Sequence, residues 1–253
     1  NQKILDLKLL YVELESFVYY NPSKVSTVSE LKTKVINGLT TYGSSTDINK
    51  FGGRFKYSKV LNVIDNINDA ITSNITRVRI RRNLKALINQ FAQYELCFGN
   101  SFYINPEGKN VKTTGFTIQG QSDMLYITDI PNKNGDGTLD GSGKGTLTIV
   151  KGDIELSENR LIVASAGTVD YVHGEIILNT INITSTEKAN NIIEIQTFPQ
   201  SNDVIGLKDL YLTFAVGDST INMVKDTITS GEQISGVGYK VTSSYSNGAL
   251  TRG

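Results

Sequence analysis

The chain of 253 residues contains no tryptophan, one cysteine, one histidine, two methionines and four prolines. Each scarcity closes off a class of protein. Cys97 stands alone, so no intramolecular disulfide can form, which fits a reducing compartment. His173 is the only histidine, and no HExxH, CxxC or GxSxG pattern occurs, so the common zinc and hydrolase machineries have no residues to build on. No window approaches 18 consecutive apolar residues and the start lacks a charged-then-apolar leader, so a soluble protein without a membrane partner is expected. The chain opens on Asn1 rather than methionine, and an internal start in a longer protein is expected.

Charge of one sign is also missing in bulk. Lys and Arg number 25, as do Asp and Glu, yet the balance is not local. Residues 50–90 carry nine basic against two acidic side chains, while residues 121–253 carry nine against sixteen. Such a separation bears on association and partners rather than on fold.

What is present is turn-forming polar sequence. Twenty-three glycines with few prolines, and many Asn, Ser and Thr, suit polar-faced strands and the turns between them. The run ILDLKLLYVELESFVYY alternates in two registers, with Leu5, Leu7 and Leu9 on one and Val12 and Leu14 on the other. It predicts a long strand bulged near Leu10 and ended by Asn21-Pro22. Thr27-Val28-Ser29-Glu30 has the form of a capping box. Val28, Leu31, Val35, Leu39 and Tyr42 follow at helical spacing up to Gly43, and Tyr57 to Ile71 carries a second apolar stripe that predicts a helix over 56–71. Arg77 to Arg81 and Ala92 to Phe98 alternate as strands. Beyond about residue 105, short alternating runs at 111–118, 124–130, 146–150, 160–164, 175–183 and 192–198 are punctuated by Gly, Asn, Asp and Pro, the cadence of antiparallel sheet. The segment 230–253 reads as a Gly/Ser-rich tail, partly extended or mobile.

The fold class expected is therefore α+β. A strand-helix-helix-strand-strand unit over residues 1–105 precedes a β-rich region over 106–253, either sandwich-like or an irregular antiparallel sheet.

Three candidate sites can be weighed. Asn132 to Asp140 places oxygen-bearing side chains at positions 1, 3, 5 and 9 of a calcium loop with glycine at 6, but Gly143 occupies the position of the bidentate glutamate. A hairpin turn explains the same residues. Gly141 to Thr146 lacks the first glycine and the Ser or Thr of a phosphate loop. Cys97 and His173 read more simply as a structural cysteine and an ordinary histidine than as a catalytic pair. No catalytic residue, metal ligand or cofactor motif is assigned, and the protein is not expected to be an enzyme.

The basic segment is the informative feature. Lys50, Phe51, Arg54, Phe55, Lys56, Tyr57 and Lys59 interleave cations with aromatics, and the cations crowd a helix start, where the helix dipole opposes positive charge. Arg77, Arg79 and Arg81 share one face of a strand and would extend the same patch. A solvated basic face, a protein interface with an acidic partner and a nucleic-acid groove are the readings open. The interface, carried by Arg54, Lys56, Lys59, Arg77, Arg79 and Arg81, is the one expected, without nucleic acid. Gly52-Gly53 imposes no preferred dihedrals, and the loop 43–54 is expected to act as a hinge or interface element.

Gly52-Gly53-Arg54-Phe55, the Ser73-Asn74-Ile75-Thr76 turn and the Phe98-Gly99-Asn100 ending resemble the baseplate wedge proteins of T-even-like contractile-tailed phages, the gene product six or J-like baseplate family. The resemblance is best over about residues 11–105 and rests on structural rather than catalytic motifs. It implies a virion component of the tail baseplate, assembled in the bacterial host cytoplasm. Such a component forms homodimers, joins wedges into a ring with other wedge proteins, and rearranges on tail contraction. A receptor- or carbohydrate-binding β module of a tail fibre is the alternative, weakened by the absence of tryptophan.

Overall fold

The structure, a computed structural model, describes residues 8–45, 48–152, 161–227, 245–246 and 249–250. In chain order the elements are β1 (Leu9–Tyr20), α1 (Val28–Gly43), β2 (Arg54–Phe55), α2 (Tyr57–Asp65), β3 (Ile71–Lys85), β4 (Phe91–Cys97), β5 (Lys112–Thr113), β6 (Phe116–Ile118), β7 (Leu125–Pro131), β8 (Lys144–Lys151), β9 (Leu161–Asp170), β10 (Glu175–Thr186), β11 (Ile192–Thr197), β12 (Val204–Ile205), β13 (Tyr211–Phe214) and β14 (Thr220–Lys225). Among the described residues the protein is thus β-rich with two α-helices. Leu5 and Leu7, and nearly all of the expected tail 230–253, lie outside the described residues.

β1 and β3 run antiparallel from Tyr11 opposite Arg81 to Tyr19 opposite Ser73. The β1–β3 register slips only at Tyr19 and Tyr20, and β13 pairs with Leu9 to Val12 without a shift, so among the described residues the bulge expected near Leu10 is absent. Leu10, Val12, Leu14 and Val18 simply share the even-numbered face and are buried, as period-two alternation requires. That face meets the helices. Leu31, Val35 and Leu39 of α1 and Val60 and Ile64 of α2 are buried with Val78 and Ile80 of β3.

Both helices differ from expectation at an end. Thr27 is the residue before α1 but makes no side-chain cap, so the capping box does not form. Thr27 and Glu30 are both exposed, where water can serve the free amides. α2 stops at Asp65 instead of running to residue 71. The Asn68 side chain accepts from the Ala70 amide at 2.9 Å, and its carbonyl accepts from Ile71 N at 2.9 Å. This local Asn turn competes with the helix and turns the chain straight into β3.

Strands from beyond residue 105 complete the first sheet. Its order is β13-β1-β3-β11-β5, with β14 also pairing along β1. β13 and β14 lie parallel to β1, while β11 is antiparallel to β3. The second sheet runs β4-β10-β6-β7-β8-β9, and β9 pairs again with β10. The last pairing closes β6 to β10 into a small barrel, which removes sheet edges that an open sandwich would leave.

Asp129 of β7 pins the loop beneath this barrel. It is fully buried and accepts from the Val111 amide at 2.6 Å and from the Tyr171 hydroxyl at 2.6 Å. Burial holds its carboxyl above the usual range, although the Tyr171 and backbone hydrogen bonds pull the other way. Burial, then the charge and hydrogen bond of Asp129, push the Tyr171 phenol up, so it remains a donor. Asp129→Ala strands both donors and is expected to cost about 2–3 kcal/mol, read from the urea midpoint. Because the folded pKa is raised, Asp129 contributes its full stability below the ordinary carboxyl value, and that contribution is lost as pH rises through the folded one. Wild type should therefore lose stability relative to Asp129→Asn as pH climbs from about 4. A pH-independent difference would contradict this.

Candidate functional site

The loop before α2 is fastened to the distant segment 204–212. Gly52 N donates to Leu207 O at 3.0 Å, Gly206 N to Gly53 O at 2.7 Å, and Leu212 N to Lys50 O at 3.0 Å. β2 pairs with β12, placing Arg54 outward and Phe55 in the core. Asp203 then accepts from the Tyr57 amide at 2.8 Å, so a carboxylate from the acidic half supports the start of α2. That interaction balances part of the dipole cost of the nearby cations.

Arg54, Lys56 and Lys59 come together around a cavity of about 730 Å³, with Tyr42, Ser45, Lys50, Gly52, Ser58, Asn62 and Val63. Among the described residues that line it there is no carboxylate. Arg54, Lys56 and Lys59 are all exposed and form no ion pair among the described residues. The Ser45 hydroxyl is buried there without a hydrogen-bond partner among the described residues.

Arg77, Arg79 and Arg81 do not extend this patch. Strand alternation sends them to the face of the first sheet opposite the helices. Arg77 is exposed, beside Ile75 at 55% exposure. Arg79 donates to Glu15 at 2.7 Å and lies 5.3 Å from the Phe198 ring centroid. Arg81 is only 6% exposed. Its Nε bonds Glu13, one terminal nitrogen reaches Asn83 at 2.8 Å and Glu194 at 3.1 Å, and the other reaches Asp218 at 2.7 Å. Its guanidinium carbon sits 4.2 Å from the Tyr11 ring centroid. Burial works to lower the Arg81 pKa, but the hydrogen bond and charge of Glu13, then Glu194 and Asp218, outweigh it and hold it above the usual value. The acidic surface expected to meet Arg79 and Arg81 is therefore supplied by their own chain.

Sequence reasoning missed Glu13, Asp203 and Asp218. Glu13 was visible as a charge at an alternating position. The other two lie more than a hundred residues from their partners, with no local signal.

The remaining candidates resolve into local structure. Lys133 and Leu139 form a β-bridge, Asp136 accepts from the Thr138 amide at 2.9 Å, and Asp140 from the Ser142 amide at 2.8 Å. Residues 132–140 are a hairpin tip whose carboxylates serve its own turns, and hydrogen bonds from Thr138 and Ser142 hold both below the usual range. Among the described residues no group of three or more His, Cys, Asp or Glu is placed to hold a metal ion. His173 sits in the β9–β10 turn with Nδ1 3.1 Å from Asp170, and Cys97 is a half-buried free thiol in β4.

Residues 8–83 match the family model described as baseplate structural protein gp6, C-terminal domain III. A search of the curated proteins finds no match. The matched segment spans β1, α1, β2, α2 and most of β3, and so contains Arg54, Lys56 and Lys59.

Two substitutions separate the parts of this site. Arg81→Ala leaves Glu13 buried without its cation and is expected to cost about 3–5 kcal/mol in the urea midpoint. A change below about 1 kcal/mol would mean the cluster carries little of the fold. Gly53→Ala would set its Cβ 2.0 Å from Ile48 O and should unfold the loop, whereas Gly52, at φ +64 with open space around it, should cost about 1–2 kcal/mol as alanine. Thermal melts of the two single variants check that order.

Proposed function

We propose that this chain, a structural protein of the phage tail baseplate and a member of the gp6 family through residues 8–83, joins neighbouring wedges into a ring and moves with them when the tail contracts. The observation that carries the reading is the match itself, which falls on the β1-α1-α2-β3 unit and the basic cleft attached to it. The protein functions as a homodimer in this reading, with other wedge proteins as further partners, and assembles in the host cytoplasm. Two basic faces suit two kinds of neighbour. Arg54, Lys56 and Lys59 lie on the helix side, and Arg77 with exposed Ile75 lies on the opposite side, where Arg79 and Arg81 stiffen the sheet behind the contact.

Gly52 is the position suited to a swivel between the helices, since Gly53 is confined by Ile48 O. A hinge of this kind requires that Gly52→Ala impair contraction more than it lowers the melting temperature.

Sedimentation of the full chain at micromolar concentration tests the dimer. A dimer is expected at low salt and should weaken as salt rises, since exposed charges are screened over about 8 Å at physiological strength. A monomer at every salt concentration would overturn it.

A further inference from the structure

We infer that the cleft of Arg54, Lys56 and Lys59 receives a carboxylate-rich polypeptide segment of a different protein, an assignment that rests on the assembly role proposed above. Three exposed cations held near one another, with no ion pair among the described residues, repel each other, and groups of this kind gain most from an external anion. Lys56 at the N-cap of α2 and Lys59 and Asn62 within it follow one another at three-residue spacing and line the cavity with Arg54 and Ser58.

The aromatics decide between polypeptide and nucleic acid. A single-strand groove needs exposed rings on which bases stack. Phe55 is 1% exposed and packs edge-on against Phe214 at 5.3 Å. Tyr57 is half-buried and donates its hydroxyl to Thr76 O at 2.7 Å. Phe51 is half-exposed but does not line the cavity, and it meets Tyr211 edge-on at 5.3 Å. Phe55 and Tyr57 pack into the core, and Phe51 is exposed only outside the cavity, so no interleaved ring offers a stacking face beside the cations.

The described residues of a second copy are a poor source of the segment. Among them, Asp123 is engaged with Lys151, Asp209 with Lys8, Asp226 with Thr72, Asp203 with the Tyr57 amide, and Asp218 and Glu194 with Arg81. These carboxylates are distributed among separate elements.

The test is fluorescence anisotropy with the full chain and a short labelled peptide of alternating glutamate and alanine, beside an oligothymidylate of equal charge. The peptide should bind saturably at low salt and weaken as salt is added. The triple variant Arg54→Glu, Lys56→Glu, Lys59→Glu should bind about tenfold or more weakly, with Lys59→Glu alone showing a smaller loss. Arg77→Glu, on the opposite face, should bind as wild type does. No peptide binding, equal loss in Arg77→Glu, or tighter binding of the oligothymidylate overturns the assignment. Incorporation of the wild-type chain into baseplates is followed in parallel. Incorporation without peptide binding overturns the cleft assignment alone, whereas peptide binding without incorporation overturns the assembly role and leaves the chemistry of the cleft standing.

Discussion

The pairing of β1 with β3 is the constraint on which the other elements depend. Their register runs from Tyr11–Arg81 to Tyr19–Ser73, so every even-numbered residue of both strands faces the helices and every odd-numbered one faces away. A slip of one residue would turn Val12, Leu14, Val78 and Ile80 out of the core and bring Glu13, Glu15, Arg79 and Arg81 into it. The ion pairs on the odd face reinforce the same register, because Arg79 reaches Glu15 and Arg81 reaches Glu13 only when the strands are so aligned. Apolar burial on one face and charge pairing on the other therefore select one alignment together.

From this pair the structure spreads by attachment. β13 and β14 extend it beyond β1, β11 extends it beyond β3, and Arg81 ties the two sides by bonding Glu194 of β11 and Asp218 of the 3₁₀ turn before β14. The loop after β11 does the corresponding job for the helix side. Asn100, at the end of the Phe98-Gly99-Asn100 stretch, donates to Ile205 O at 2.8 Å and accepts from Ile205 N at 2.9 Å. The same loop carries Asp203 to the start of α2 and β12 to β2. A change at the end of β4 is thus connected through backbone-directed hydrogen bonds to the residues that shape the basic cleft.

The two sets of basic residues illustrate how position decides role. Arg54, Lys56 and Lys59 sit where the chain turns into a helix, exposed to solvent and without an ion pair among the described residues. Arg79 and Arg81 are the same kind of side chain on a strand between two others, where neighbouring strands deliver carboxylates to them. Burial of Arg81 is tolerated because its donors are nearly all matched; it serves the fold, whereas Arg54, Lys56 and Lys59 stay at the surface.

Local spacing in the sequence was enough to determine the alternating strands, the two helices and the polar turns. The runs expected after residue 105 correspond to β5 to β11, and the charge segregation marked the segment that holds the cleft. β12, β13 and β14 were not legible, because two-to-six-residue strands within Gly, Asp and Ser-rich sequence carry too few alternations to stand out. The end of α2 was misread because Ile67 and Ile71 keep helical spacing while Asn68 forms a turn through its own side chain. Tertiary structure alone decided that the late strands return to β1 and β3, that β10 closes a barrel, and that Arg81 is enclosed by Glu13, Glu194 and Asp218. The physical reason is separation along the chain: alternation and propensity act over a few residues, whereas strand order and ion-pair partners are settled only when distant segments compete to bury the same surfaces.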